Sequence, residues 1–209
     1  MFVHLIYIDL LLLPNQTKLN SMKKNLMAIA VFAVFIGICS FVPNHKKTDP
    51  LIYKVAAESS KIEWVGSKKG GYHNGSFLLK SGTVKVDNGK ITGGQFVIDL
   101  GSVKADAGEK LESHLKSPDF FDVAKFAEAT YEITSVNYTA PAVAEITGNL
   151  TLKGATVVVK VNANIRNLDD KKLFGQANFS IDRTAWGLNY GPGMVSNDVQ
   201  VGVYLFANK

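Results

Sequence analysis

His73 and His114 are the only histidines after position 50, and their imidazoles are the side chains best suited to acid–base or metal chemistry. An imidazole titrates near neutral pH and is a common metal ligand. The two residues do not have a metal-ligand spacing such as His-x-x-x-His, and the carboxylates of the chain are scattered. We therefore expect structural hydrogen bonds first, contact with the polar group of a ligand second, and a metal last.

Other reactive patterns are absent from the sequence. It contains no Gly-x-Ser-x-Gly nucleophile motif, no Walker loop and no dinucleotide-binding fingerprint. Cys39 is the only cysteine and lies in a hydrophobic N-terminal segment. The domain that follows this segment therefore has no thiol nucleophile, no disulfide and no thiolate metal site.

Two further groups of side chains are candidates for a polar or aromatic site. Arg183, next to Asp182, could meet a polar head group, but a charge pair that fixes the end of a strand is the interpretation we favour. Trp64 and Trp186 each combine a large apolar ring with one N–H group. We expect both rings to plug the base of a barrel, with their N–H groups bonded to the backbone, and we favour this role over direct stacking on a ligand.

The elements that position these residues are mostly strands, because a two-residue alternation fills the C-terminal half of the chain. Odd positions from 157 to 165 are apolar, whereas Lys160, Asn162 and Asn164 lie between them. The same period returns in residues 142–153, where Ala142 and Ala144 are predicted to face inward, and further strands follow at 173–182 and 199–207. Such a period describes strands with one apolar face, and four of them in succession must share one interior.

The N-terminal half of the domain predicts strands at 52–57, 61–67, 77–86, 90–100 and 130–138. Asn88-Gly89 predicts a tight hairpin turn between the third and fourth of these, because it supplies the positive φ angles of such a turn.

One segment departs from the strand pattern. Asp106 followed by Glu109 is a helix-start signal, and Leu111 and Leu115 lie one helical turn apart, so we predict a short helix over residues 107–116. Pro118 ends this helix. The Phe120-Phe121 pair that follows is predicted to form a lid or a wall of the interior.

Seven or eight antiparallel strands, one short helix and Gly-rich turns favour an all-β barrel or a strongly curved sandwich. Small residues on the inner face, among them Ala163, Gly175 and Ala177, leave two alternatives open. A barrel of about eight strands can hold one elongated ligand, or the small residues can match large neighbours in a filled core.

Residues 22–40 have the pattern of an export signal, in which Lys23 and Lys24 precede an apolar stretch. We expect cleavage near Cys39 or Ser40 and a periplasmic or secreted protein. Acylation of Cys39, or an uncleaved membrane anchor, are the alternatives. Residues 1–21 are predicted to be a mis-assigned extension before a true start at Met22, and residues 41–50 a short leader.

The composition predicts one folded domain over residues 51–209, because 46% of the chain is hydrophobic and only 20% is charged. From residue 41 onward there are 20 basic and 17 acidic residues, a net charge of +3. No Lys/Arg run is interleaved with aromatic residues, so nucleic acid is not expected as a partner.

Six motifs follow one another along the domain: SKIEWVG (60–66), YHNG (72–75), GGQFVIDL (93–100), LESHLKSPDFFDV (111–123), TGNLTLKG (147–154) and IDRTAWG (181–187). In these motifs the chain resembles the YceI family of exported lipid- and polyisoprenoid-binding proteins over residues 51–207. The resemblance implies a lipocalin-like, extended antiparallel β-barrel of about eight strands with one short helix, whose tunnel holds a long apolar chain.

Given such a tunnel, we expect its wall to be formed by apolar residues of the strands, the helix and the segment after the helix: Phe96, Ile98, Leu111, Leu115, Phe120, Phe121, Ile146, Leu150, Val159, Val161, Ala163, Ala177, Phe179, Trp186, Val201 and Val203. His73, His114 and Arg183 are expected at the rim, near a head group.

The function expected from the resemblance is the carriage or storage of a polyisoprenoid, an isoprenoid quinone or a fatty-acid derivative, without catalysis. No cofactor or metal is expected beside the bound lipid. We expect membrane contact only for loading and release, and a homodimer is left open. Two alternatives remain: an enzyme that uses His73 or His114 with Asp119 on a lipid head group, and an envelope stress protein with a filled interior that acts through a protein partner.

Overall fold

The computed structural model of the chain describes residues 49–209, which form nine strands and one α-helix. The strands are β1 (Leu51–Val55), β2 (Lys61–Lys68), β3 (Gly71–Asp87), β4 (Lys90–Ala105), β5 (Glu128–Ala140), β6 (Val143–Leu152), β7 (Ala155–Leu168), β8 (Lys172–Asp182) and β9 (Val195–Asn208). The helix α1 (Glu109–Lys116) lies between β4 and β5, and a 3₁₀ turn, Arg183–Trp186, follows β8. The predictions for the extension, the signal segment, Cys39 and most of the leader lie outside the described residues.

Eight of these strands close into an antiparallel barrel. The hydrogen-bonded order is β3-β2-β9-β8-β7-β6-β5-β4, and β4 pairs with β3 again. Closure gives each of these strands a partner on both sides. The predicted all-β barrel of about eight strands with one short helix is confirmed.

The remaining strand, β1, lies between β3 and β9, as β2 does, but nearer to the base. It pairs with residues 83–86 of β3 and with the end of β9, whereas β2 pairs with the beginning of both neighbours. Ser60 bridges the gap between β1 and β2. Its buried hydroxyl donates to the carbonyl oxygen of Phe206 at 3.1 Å and accepts from the Phe206 N–H at 3.0 Å. The side chain thus replaces a missing backbone pair and keeps the wall continuous.

The two ends of the barrel differ. We call the mouth the end that carries the β2–β3 turn, α1, the 3₁₀ turn and loop 187–194, and the base the end that carries the β3–β4 turn. A separate cluster of buried residues closes the base: Tyr53, Val84, Val86, Ile91, Leu173 and Ala207. The Tyr53 hydroxyl also donates to the carbonyl oxygen of Asp169 at 2.6 Å, which ties β1 to the β7–β8 turn.

The predicted alternation holds in the C-terminal strands. On β7, for example, Val158 is 61% exposed and Val159 only 8%. One inner position was wrong: Ala142 is exposed because it lies in the turn before β6, whereas Ala144 is fully buried as expected. The Asn88-Gly89 hairpin turn is confirmed, with φ angles of 48° and 72°.

The predicted start of the helix was also wrong. α1 begins at Glu109, two residues later than expected, and Gly108 precedes it without a side-chain cap. The Asp106 carboxylate is engaged elsewhere, because it accepts from Nδ1 of His73 at 2.9 Å and from the Asn74 N–H at 3.2 Å. A long-range contact has therefore displaced a local cap.

Among residues 49–209, no helix has the length and apolar character that a crossing of the bilayer would require.

Candidate ligand cavity

The barrel encloses a cavity of about 740 Å³, to which every strand from β2 to β9 and helix α1 contribute side chains. Most of the lining is aliphatic or aromatic, and most of its polar groups lie at the mouth. Exposed lining residues such as Met194 and Tyr190 also lie there, whereas the base is sealed. The volume falls within the range of about 300–1,000 Å³ that is common for small-molecule sites. The sequence analysis left open whether the small inner residues line a pocket or match large neighbours in a filled core. The structure contains a pocket.

All but one of the predicted wall residues border this cavity: Phe96, Ile98, Leu111, Leu115, Phe120, Phe121, Ile146, Leu150, Val159, Val161, Ala163, Ala177, Phe179, Val201 and Val203. The exception is Trp186, whose assignment to the lining was wrong. Its ring is buried at 3% exposure outside the cavity, and its Nε1–H donates to the carbonyl oxygen of Leu150 at 2.9 Å. This is the structural role that the sequence analysis had expected for the indole N–H.

Trp64 was expected to be a plug of the same kind, and this prediction was wrong. Its ring borders the cavity, and its Nε1 atom is buried without a hydrogen-bond partner among residues 49–209. The ring lies across Gly75, where a Cβ atom would come within 2.5 Å of the indole Cζ2. A glycine is thus needed at position 75, because a Cβ atom there would collide with the Lys104 carbonyl oxygen on β4 as well as with the Trp64 ring.

The sequence analysis missed lining residues on strands of the N-terminal half and at the base: Ile62, Phe77, Leu79, Ile91, Leu100 and Ile133. Their alternation is interrupted, because the β3–β4 pairing shifts register at three places and the β5–β6 pairing at two. A bulge changes which face the next residue occupies, so a strict period of two cannot be followed through it.

Tyr131 is a further lining residue that was missed. Its hydroxyl donates to the carbonyl oxygen of Val159 at 3.1 Å, and burial raises the pKa of this hydroxyl to about 12. The ring passes over Gly148, where a Cβ atom would lie 2.5 Å from Tyr131 Cζ. Tyr131 is therefore a neutral donor within the wall at physiological pH.

A cluster of aromatic rings lies at the mouth. His114 meets Phe120 and Tyr190 edge-on at centroid distances of 5.1 and 4.6 Å, and Phe120 lies 5.1 Å from Tyr190. Phe121 points to the other side and meets Phe77 of β3 at 5.4 Å. The two adjacent phenylalanines thus border the cavity at different places, one at the mouth and one against the strand wall.

His73 stands between two charged groups at the mouth. The Lys68 ammonium group, which can only donate, lies 2.7 Å from His73 Nε2, so the proton of a neutral ring is on Nδ1 and is donated to Asp106. Burial raises the pKa of the Asp106 carboxyl, but the hydrogen bonds from His73 and from the Asn74 N–H outweigh burial and hold this pKa below its usual value. The cluster holds Lys68 toward the cavity.

Arg183 borders the cavity, but its guanidinium group is engaged by the backbone. It is 5% exposed and donates to four carbonyl oxygens: Leu188, Tyr190 at 2.9 Å, Val195 at 3.2 Å and Ser196 at 2.8 Å. Burial lowers its pKa, and the neighbouring Asp182 opposes that shift. Asp182 does not pair with Arg183; it accepts from the N–H and hydroxyl of Thr184 and so caps the 3₁₀ turn. The placement of Arg183 near a head group is therefore corrected, because its donors hold loop 187–194.

The geometry around the histidines offers little for acid–base chemistry. His114 Nε2 lies 3.4 Å from an Asp119 oxygen, a long contact on an exposed pair. In the part of the chain that the structure describes, no hydroxyl side chain hydrogen-bonds to either imidazole. No group of three or more His, Cys, Asp or Glu side chains is arranged for a metal ion within residues 49–209.

Comparisons with known proteins place this barrel in a family. The sequence profile of the YceI-like domain matches residues 53–207. A UPF0312 protein of Pseudomonas fluorescens is 30% identical over 192 residues, which are 88% of this chain and 96% of that protein. The barrel is also similar to two solved structures at 24% identity. Burkholderia cenocepacia BcnA matches with a TM-score of 0.64 over 73% of this chain and 99% of its own. A domain of Saccharophagus degradans, described as polyisoprenoid-binding, matches with a TM-score of 0.61 over 75% and 97%. The chain belongs to the YceI-like family.

Proposed function

We propose that this protein binds a long-chain amphiphile, such as a polyisoprenoid, an isoprenoid quinone or a fatty-acid derivative, in the barrel cavity and carries or stores it. The observation that carries the proposal is the apolar cavity of about 740 Å³, closed at the base and open at the mouth. An apolar chain that leaves water for such a wall gains about 25 cal/mol per Å² of buried surface. Affinity then depends mostly on chain length and fit, while polar groups at the mouth orient the head.

The similarity to a domain described as polyisoprenoid-binding supports the same class of ligand. A binding role without catalysis is supported by the mouth itself, where His73 is held between Lys68 and Asp106. We also propose that the protein is exported, on the basis of the signal pattern in residues 22–40. An insoluble ligand needs a carrier to cross an aqueous compartment, so export and this cavity fit one role.

The proposal predicts that a side chain added inside the cavity weakens binding. Gly175 lines the cavity on β8, and a Cβ atom there would meet nothing closer than the Asn164 carbonyl oxygen at 3.8 Å. Gly175→Leu should therefore place its side chain in the lumen without breaking the wall. The matched control is Ser180→Leu, which adds a leucine to the exposed face of the same strand.

The measurement is native mass spectrometry with solvent extraction of protein purified from a bacterial envelope fraction, followed by addition of ubiquinone and palmitic acid to the emptied protein. We expect one lipid per wild-type or Ser180→Leu chain and a lower occupancy in Gly175→Leu, because its leucine takes up part of the space that the chain of the ligand needs. A wild-type protein that carries no lipid and takes up neither probe would contradict the proposed function.

A further inference from the structure

The rim of the mouth exposes large apolar side chains. We define the rim as residues 66–75, around the β2–β3 turn, and residues 187–197, the loop before β9 with the first residues of that strand. Tyr72 is 63% exposed, Met194 56% and Tyr190 44%. Tyr190 and Met194 also line the cavity, so its apolar surface continues out of the barrel onto the rim. Apolar surface that is exposed beside a cavity is typical of a site that meets another molecule or a membrane.

The loop that carries two of these side chains has no charged residue and is held from inside. Residues 187–194 read GLNYGPGM. The buried Arg183 guanidinium group donates to the Tyr190 carbonyl oxygen at 2.9 Å, and the Met194 N–H donates to the Gly191 carbonyl oxygen at 3.0 Å. Because these backbone groups are bonded within the protein, they do not need water as a partner when the loop leaves it. The loop therefore presents its apolar side chains at a low cost in lost hydrogen bonds.

Positive charge lies next to the apolar side chains of the rim. Lys69 is a neighbour of Met194, because its backbone N–H donates to the Met194 carbonyl oxygen at 2.8 Å, and Lys68 precedes it at the mouth. Both lysines are exposed. The two segments of the rim contain these two lysines and no aspartate or glutamate. A lysine near an anionic lipid surface is attracted to it.

The carboxylates of the mouth lie outside the rim. On β9 the first is Asp198, in the fourth position of the strand, about 10 Å from its mouth end at 3.3 Å per residue. Across the mouth, Asp106 is hydrogen-bonded to His73, and Asp119 lies next to His114. The rim therefore has a positive charge of its own, which complements anionic groups.

We propose that the rim docks on the surface of a bilayer that contains anionic lipids, with Tyr190 and Met194 among the head groups and Lys69 against their negative charges. Tyrosine is enriched where a membrane meets water. Three partly exposed side chains offer far less than the roughly 800 Å² per partner that a stable interface between two proteins buries, which favours a bilayer over a second copy of the chain. This inference rests on the proposed function for the purpose of the contact, because docking joins the cavity to the bilayer and an amphiphile then enters or leaves without crossing water.

The test is flotation with lipid vesicles of protein purified without detergent from a bacterial envelope fraction. Vesicles that contain equal amounts of phosphatidylcholine and phosphatidylglycerol should bind the wild type more tightly than vesicles of phosphatidylcholine alone. Lys69→Gln should weaken binding to the anionic vesicles by about fivefold, the value for one lysine near such a surface. Met194→Glu should weaken it at least as much, because it removes an apolar contact and adds a charge that the lipids repel.

Two matched controls make the same changes away from the rim. Val158→Glu replaces an apolar residue that is 61% exposed on the outer face of β7, and Lys171→Gln removes an exposed lysine from the β7–β8 turn at the base. Both variants should bind the anionic vesicles as the wild type does. Equal binding by the wild type, Lys69→Gln and Met194→Glu overturns the inference.

A second measurement uses the wild-type protein. Met194 is the only methionine among residues 49–209, so its ¹³C-labelled methyl group reports on the rim, and Met194→Leu assigns the resonance. A lipid with a spin label on its head group should broaden this resonance in vesicle-bound protein. A resonance that stays sharp, or a dimer in sedimentation that Met194→Glu disrupts, shows that the rim does not meet the bilayer and overturns the inference.

Native mass spectrometry of the same preparations separates this inference from the proposed function. Wild-type protein that carries lipid but does not float with the anionic vesicles contradicts the docking surface alone. Wild-type protein that floats, yet neither carries nor takes up a lipid, contradicts the proposed function while the docking surface stands.

Discussion

At the scale of single residues, Arg183 is the side chain that ties loop 187–194 to the start of β9 at the mouth. Its guanidinium group is buried and donates to four backbone carbonyl oxygens of loop 187–194 and the start of β9. Arg183→Met keeps an unbranched apolar stem but leaves these carbonyl groups without their donor. We expect the free energy of unfolding to fall by about 2–4 kcal/mol, because hydrogen bonds from a charged donor are lost in a buried site. Urea unfolding measures this change.

The matched control is Arg166→Met, since the chain has no third arginine. Arg166 is exposed, and its Nε donates only to the Gln176 side chain at 3.0 Å. This variant should remain within about 0.5 kcal/mol of the wild type, as exposed substitutions usually do. Equal effects of the two substitutions would show that Arg183 does not hold the loop.

The two tryptophans show what a sequence can tell about a single residue. Both were predicted to be buried plugs, because residue type and an apolar neighbourhood are all that the local sequence offers. Trp186 is buried and donates to Leu150, which lies 36 positions away, but it lies at the mouth and not at the base; Trp64 faces the cavity opposite Gly75. The bonding of a side-chain N–H depends on partners that only the closed barrel brings together.

At the scale of elements, the β7–β8 turn is stabilised by a charge. The Asp169 carboxylate accepts from the Asn167 side chain at 3.0 Å and from the N–H groups of Lys171 and Lys172 at 2.8 Å. These hydrogen bonds, that of Asn167 first, lower the pKa of Asp169 from 3.8 to about 2. A carboxyl whose pKa is lower in the folded state stabilises the fold above its unfolded value and loses this effect as the pH falls through the folded value.

Asp169→Asn should therefore lower the thermal midpoint at pH 7 and reduce the loss of stability on acidification from about pH 4 toward pH 2. Asp170→Asn removes the same charge from the same turn, but the Asp170 side chain makes no hydrogen bond among the described residues. Thermal melts at half-unit steps of pH compare the two variants. The same midpoint curve for both would mean that charge alone, and not the hydrogen bonds of Asp169, sets the acid stability of the turn.

The strands were predicted better than the start of the helix, because strand alternation is local whereas the helix start depends on a distant residue. The inner face of β7 or β8 follows from alternation within the strand itself, so the local sequence contains it. The start of α1 does not follow from the local sequence, because Asp106 hydrogen-bonds to His73, which lies 33 positions earlier. β3 and β4 fall between these cases, since each bulge in their pairing resets the alternation.

At the scale of the whole molecule, the number of strands and their shared interior could be predicted, but the way the wall closes could not. The hydrogen bonds between Ser60 and Phe206 close the gap between β1 and β2 in the barrel wall, and the two residues are 146 positions apart in the sequence. A small inner residue can face an empty space or a large side chain on another strand. The local sequence does not distinguish these cases, because the opposite strand is in place only in the closed barrel. The cavity is thus a property of the closed barrel, and a measurement on the whole molecule should detect it.

Pressure provides this measurement. A cavity of 740 Å³ per molecule, multiplied by Avogadro's number, is about 450 mL/mol, several times the usual unfolding volumes of roughly 20–100 mL/mol, which scale with internal void volume. Apolar cavities can remain dry, so the lipid-free protein should unfold at unusually low pressure with a large negative volume change. Gly175→Leu fills part of the void and should reduce the magnitude of this change, whereas Ser180→Leu should not. High-pressure fluorescence of Trp64 in the Trp186→Phe background follows the transition. Identical volume changes for the two leucine variants would mean that water already fills the lipid-free barrel, and that a ligand has to displace it to bind.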